Sequence, residues 1–321
     1  MIYNNISVRE KGMIKNNVYK SYVELIGNTP LMELVNLKKY LNLKSKIYVK
    51  LENMNPGGSI KDRAALFMIN KALEEGKING DTTIIEATSG NTGIAVATIC
   101  ASLNIKCIII MPENMSLERI KILKQLGAEV MLTDKSLGMK GSIEKLEELK
   151  KEIKNHYTLN QFDNSNNYLA HYETTAKEIY DSLDGNVDYF VSAVGTSGTI
   201  MGCAKYFKEK NNQIMVVAVE PSDSAVLSNE KANVHKIQGI GAGFVPSIFD
   251  YNYIDKIEKV NYQESIESAK LLAQKEGILT GFSSGANLSV AIKYARQLEN
   301  KSIVIVLPDC GSRYFSTELF D

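Results

Sequence analysis

The chain carries no excess charge: its 37 Lys and Arg residues are balanced by 37 Asp and Glu. With no net field, nothing in the composition draws it to nucleic acid or to an anionic lipid surface, and a small molecule is the expected ligand. Histidines are few, and His156, His171 and His235 lie far apart in sequence, so neither a metal site nor a histidine-based triad is suggested. The four cysteines, Cys100, Cys107, Cys203 and Cys310, form no Cys-x-x-Cys pair. They read as reduced cytoplasmic thiols. No apolar run reaches the roughly 18 residues that span a bilayer. The polar segment Met1 to Lys20 lacks the apolar core, roughly 7–15 residues long, of a signal peptide. A cytoplasmic protein is expected. That first segment reads either as a disordered lead or as an arm laid on a partner subunit, with Met13 as an alternative start.

What is present is an alternation. Short apolar runs (Thr83 to Glu86, Cys107 to Met111, Val130 to Thr133) are interleaved with helical patterns (Ile94 to Leu103, Leu117 to Leu126). The rhythm returns in the second half with Tyr189 to Val194, Ile200 to Lys208, Met215 to Val219, Ile266 to Glu276, Ala286 to Leu298 and Ile303 to Leu307. Such spacing predicts βαβ units around parallel sheets, and 321 residues suffice for two α/β domains with substantial cores. The Asn-rich stretch Leu159 to Asn167 has no apolar period and marks the expected boundary. The expected division is an extension over 1–20, a first α/β domain over 21–165 and a second over 166–321. The charged segment Glu144 to Lys154 has Leu146, Leu149 and Ile153 at helical spacing and reads as a solvated amphipathic helix.

Four segments carry chemistry. In Asn55-Pro56-Gly57-Gly58-Ser59-Ile60-Lys61-Asp62-Arg63, Lys61 follows a Gly-Gly turn between the strand Ile47 to Leu51 and a helix expected to begin near Arg63. It is either a surface lysine at a helix start or an amine projecting into a cleft, where desolvation would ready it for Schiff-base chemistry. Thr88-Ser89-Gly90-Asn91-Thr92-Gly93 sits at a strand-to-helix junction, where outward N–H groups and hydroxyls can seat a carboxylate or simply cap the helix. Gly195-Thr196-Ser197-Gly198-Thr199 occupies another such junction and reads as a phosphate cup. Its GxxG spacing is neither a GxGxxG dinucleotide fingerprint nor a P-loop. The glycines Gly239, Gly241 and Gly243 read as a loop packed near the site. Lastly, Gly281-Phe282-Ser283-Ser284-Gly285 opens a long helix, and Ser283 there is either a cap or a partner for a ring nitrogen.

An aldehyde for Lys61, a phosphate for Gly195 to Thr199 and a ring nitrogen for Ser283 together describe pyridoxal phosphate. From Ile26-Gly27-Asn28-Thr29-Pro30 to Arg313-Tyr314 the chain resembles the fold type II pyridoxal-phosphate enzymes, within them the cysteine synthase (O-acetylserine sulfhydrylase) and cystathionine β-synthase group. The resemblance implies two three-layer αβα domains with mostly parallel sheets, the cofactor in the cleft between them, and a subdomain over about 107–151 that closes on substrate. It also implies that Lys61 holds the cofactor and moves the α-proton, that Asn91 bonds the 3-hydroxyl, that Gly195, Thr196, Ser197, Gly198 and Thr199 hold the phosphate, and that Ser283 meets the ring nitrogen. Thr88, Ser89, Gly90, Thr92 and Gln161 correspond to the residues that take the substrate carboxylate.

A neutral serine at the ring nitrogen makes a weaker electron sink than an aspartate would, which favours β-replacement. The Met115 to Arg119 and Gly239 to Phe244 segments resemble cysteine synthase, making cysteine from O-acetylserine and sulfide the expected reaction. Asn55 to Ser59 is closer to the cystathionine β-synthase branch, and Ser197 stands where a glycine is usual. The alternative is therefore a cystathionine β-synthase-like or cysteine-consuming β-replacement, with cysteine or serine as donor, that releases hydrogen sulfide or water and forms cystathionine, lanthionine or serine. A homodimer is implied, and a remoter alternative is an inactive docking partner for the tail of serine acetyltransferase.

Overall fold

The computed structural model describes residues 18–115 and 117–321; most of the Met1 to Lys20 segment lies outside them. The first half contains β1 (Leu31–Glu33), α1 (Val35–Leu41), β2 (Lys46–Leu51), α2 (Lys61–Glu74), β3 (Thr83–Ala87), α3 (Asn91–Leu103), β4 (Lys106–Pro112), α4 (Leu117–Gln125), β5 (Glu129–Thr133), α5 (Gly138–Glu152) and β6 (His156–Tyr157). The second half continues with α6 (Ser165–Ala170), α7 (Lys177–Ser182), β7 (Tyr189–Ala193), α8 (Gly198–Lys210), β8 (Met215–Pro221), β9 (Lys256–Val260), α9 (Tyr262–Glu276), α10 (Phe282–Gln297) and β10 (Ser302–Leu307).

Two sheets result. One has four parallel strands in the order β5-β4-β3-β6. The other has six, β1-β2-β10-β7-β8-β9, parallel except for the antiparallel β1 edge. β10 shows why the layers are three deep. Ile303, Ile305 and Leu307 pack toward α1, α9 and α10 on one face, while Val304 and Val306 pack toward α7 and α8 on the other. A strand apolar on both faces needs cover on both. In the smaller sheet, Ile84 and Ile109 meet α2 and α3, and Ile85, Ile108 and Ile110 meet α5. Both units are thus αβα sandwiches. Among the described residues no helix is long and apolar enough to cross a membrane.

The sheets do not follow the expected division at residue 165. β1 and β2, early in the chain, belong to the larger sheet, with β2 in register beside β10 from Lys46↔Ser302 to Leu51↔Leu307. The reason is that β10 is buried on both faces and takes a parallel neighbour on each edge, β7 and β2. The Asn-rich boundary is also partly helical, since the Asn164 side chain accepts from the Asn166 N–H and starts α6. A π-helical turn, His171–Ala176, joins α6 to α7.

A buried charge cluster fastens the root of α2. Arg63 donates to Glu52 at 2.7 and 2.9 Å and to Glu178, on α7, at 2.6 and 2.7 Å. Lys50 on β2 donates to Glu178 and to the Thr29 carbonyl, each at 2.6 Å. Burial raises the proton affinity of Glu178, but Arg63 and then Lys50 outweigh it and hold the carboxyl at about 2.

Candidate active site

The strands of both sheets end at one cleft of about 630 Å³, and all thirteen residues singled out from the sequence line it: Lys61, Thr88, Ser89, Gly90, Asn91, Thr92, Gln161, Gly195, Thr196, Ser197, Gly198, Thr199 and Ser283. This is where parallel α/β sheets place ligands, outside the carboxyl ends of their strands. The glycine loop also packs there, Gly239 and Ile240 forming part of the wall.

Lys61 is the first residue of α2, two positions earlier than expected. A β-bridge between Ser59 and Asp309 and the bond from Ile60 N–H to the Pro308 carbonyl, 2.8 Å, anchor the chain just ahead of it. The helix can therefore start at once. Burial lowers the proton affinity of the Lys61 amine, with the Asp309 charge opposing.

The loop after β7 is a closed cup at the N-terminus of α8. Its glycines are spatially required: a side-chain carbon on Gly195 would lie 2.7 Å from the Gly239 carbonyl oxygen, and one on Gly198 would lie 2.0 Å from Asn167 Oδ1. Asn167 on α6 donates to Thr196 Oγ1 at 3.0 Å and to the Gln161 carbonyl at 2.6 Å. Ser197 adopts φ +72°, left-handed backbone that favours glycine, and its hydroxyl is buried without a partner among the described residues, in a residue 3% exposed. An orphaned donor in such a cup calls for an acceptor from a ligand. Thr199 shares a 3.4 Å hydrogen bond with His171 Nε2, and burial, then Arg63 and Lys61, keep that imidazole neutral.

The loop after β3 is open by contrast. A side chain on Gly90 would meet none of the described residues within 4 Å. Thr92 donates to Gln161 Oε1 at 2.8 Å, and Arg119 on α4 donates to the Ser89 carbonyl at 2.9 Å. Asn91 opens α3; its amide nitrogen donates to Asp309 at 2.7 Å and its oxygen accepts from Arg313. Ser283 lies buried in the first turn of α10.

Sequence reasoning missed Asn167, Asp309, Arg313 and Tyr314. The polar run Pro308 to Tyr314 directly after the apolar β10 was the available signal, because a strand's carboxyl end is where the ligand sits. Asn167 gave none; its partners are brought by the fold.

A family model described as pyridoxal-phosphate dependent enzyme matches residues 23–309. Cysteine synthase B of Campylobacter jejuni is 46% identical over 303 residues, 94% of this chain and 99% of that protein. The crystal structure of cysteine synthase from Entamoeba histolytica superposes with a TM-score of 0.93 at 42% identity, over 96% of this chain and 92% of that one. A hydrogen sulfide-producing enzyme from Fusobacterium nucleatum matches at 47% identity and a TM-score of 0.88, over 92% and 100% of the two chains.

Proposed function

This chain belongs to the pyridoxal-phosphate dependent enzymes, and from that premise we propose that it catalyses β-replacement on an amino acid, making cysteine from O-acetylserine and sulfide. The observation that carries the reading is the convergence in one cleft of a desolvated lysine amine, a phosphate cup with an unpaired hydroxyl and a helix-start serine. These residues fit pyridoxal phosphate. The Gly195 to Thr199 loop would take the phosphate, Ser283 the ring nitrogen, Asn91 the 3-hydroxyl and Lys61 the aldehyde. When bound, the cofactor supplies the electron sink that acidifies the Cα–H of the amino acid and lets a β-substituent leave.

The chain's own groups supply the rest. Lys61, whose burial favours the neutral amine, takes the Cα proton at Nζ. Thr88, Ser89, Gly90 and Thr92, with the α3 N-terminus, hold the substrate carboxylate, and Gln161 covers it from across the cleft. Arg119 ties α4 to the Ser89 carbonyl, so carboxylate binding and inward movement of the 107–151 segment support one another and exclude water.

The purified protein saturated with pyridoxal phosphate is expected to form cysteine from O-acetylserine and sulfide, and to carry the vitamin on Lys61 after borohydride reduction. No cysteine at full loading would overturn the reaction; no label at Lys61 would overturn the site. Lys61→Ala is expected to cut turnover by about 10³-fold or more with an unchanged circular dichroism spectrum.

A second reading has the enzyme consume cysteine and release hydrogen sulfide. The 47% identity to the hydrogen sulfide-producing enzyme supports it, and sulfide evolved from cysteine alone would favour it. A cytoplasmic setting, supported by four free cysteines, and a homodimer complete the proposal. The C-terminal tail of serine acetyltransferase is a further partner that the resemblance implies, measurable as binding of that tail peptide to the purified protein.

A further inference from the structure

We propose that Asp309 is a positioning residue of this site, holding the Asn91 amide in one orientation and setting a negative charge against the Lys61 amine. The inference rests on the reading of the cleft as a pyridoxal-phosphate site. Asp309 is 1% exposed yet lines the cleft. Its Oδ2 accepts from Asn91 Nδ2 at 2.7 Å and from the Tyr314 hydroxyl at 2.6 Å, while Oδ1 is buried with no partner among the described residues. A side-chain carbon on Gly281 would stand 2.5 Å from that free oxygen, so Oδ1 lies against the N-terminal end of α10, which favours a carboxylate.

The orientation follows from donor and acceptor chemistry. Arg313 can only donate, so the Asn91 oxygen must face it, and the acceptor Asp309 then takes one amide hydrogen. The second amide hydrogen is left for a ligand oxygen. Without the carboxylate, the arginine alone would orient this amide.

The charge follows from the β-bridge that sets Asp309 beside Ser59, two residues ahead of Lys61. Other charged or titratable groups around the pair are Arg313 and Tyr314 on the same turn, Asp62 on α2, Arg119 on α4 and His171 ahead of α7. Arg313 is occupied by Asn91 and the Gly57 carbonyl, and His171 is held neutral. Asp309 is the charge that favours a proton on the Lys61 nitrogen.

The test is a pH titration of the visible absorbance of the full-length protein loaded with pyridoxal phosphate, which reads the proton at the Lys61 linkage, together with a binding titration of the cofactor-free form. A nearby negative charge favours the protonated form, so Asp309→Asn is expected to lower the midpoint by about one pH unit or more. It is also expected to weaken pyridoxal phosphate binding by about threefold to tenfold. Asp309→Glu, which keeps the charge, is expected to restore the midpoint. Should Asp309→Asn fail to fold, Tyr314→Phe removes one donor from the carboxylate and is expected to raise the midpoint; no movement there overturns the proposal. Wild-type loading with an unmoved Asp309→Asn midpoint overturns this inference alone. A wild-type protein that does not take up the cofactor overturns it together with the reading of the cleft.

Discussion

Two loops of hydroxyls and glycines face each other across the cleft, and their surroundings differ. The cup of Gly195 to Thr199 is closely backed by protein: Gly195 abuts backbone, Gly198 abuts Asn167, and Thr196 is held by the same asparagine. The Thr88 to Gly93 loop has open space over Gly90, and its side-chain ties to Gln161 and Arg119 come from the loop ahead of α6 and from α4. A tight cradle suits a group that stays, and an open one suits a group that arrives and leaves. On the proposed reading, similar composition serves retention in one place and turnover in the other, and packing tells them apart.

The largest effect that would break this contrast lies in the cup. Gly198→Ala drives a methyl into Asn167 and is expected to weaken pyridoxal phosphate retention by about tenfold to a hundredfold, measured by dialysis of the loaded protein. Retention equal to wild type would remove the distinction between the loops.

Next comes a pH effect on the open side. Glu86, on the strand leading to Thr88, is pushed up to about 7 by burial, against the N–H groups of Leu159 and Asn160. A carboxyl raised in the folded state adds stability below about 4.5, its usual value, and loses it as pH rises to about 7. Above that, Glu86→Gln is expected to be the more stable protein by on the order of 2–3 kcal/mol, with little difference at pH 4.5. Denaturant melts at both pH values read this; parallel curves would refute it.

Gln161→Ala, which strips the Thr92 contact, is expected to raise KM for the amino acid by about fivefold to tenfold and leave cofactor retention unchanged, as seen in steady-state kinetics. Smallest of all, Gly90→Ala is expected to shift stability by no more than about 0.5 kcal/mol and to leave retention intact, since nothing stands where its methyl would go. Cofactor loss in Gly90→Ala would show that the open loop also retains.

Much of this was legible because it is local. Lys61, the Thr88 to Gly93 loop and the cup each sit where an apolar run, a turn and a helical period meet within about ten residues, and that grammar reads directly. The pairing of β2 with β10, some 250 residues apart, leaves no such mark. Asn167, Asp309 and Arg63 are equally silent, because an inward asparagine or a paired charge looks in sequence like any solvated one, and only the partner's arrival distinguishes it. Ser197 stands where a glycine is usual, and its left-handed backbone supplies the reason a glycine suits that position.

Until Glu178 is in place, Arg63 and Lys50 have only the single anion Glu52 between them, and burying that surplus cation is strongly unfavourable. The root of α2 is therefore fastened by a carboxylate that only the second half of the chain supplies. A fragment ending short of α7 would carry every residue of the lysine segment with one cation too many to bury.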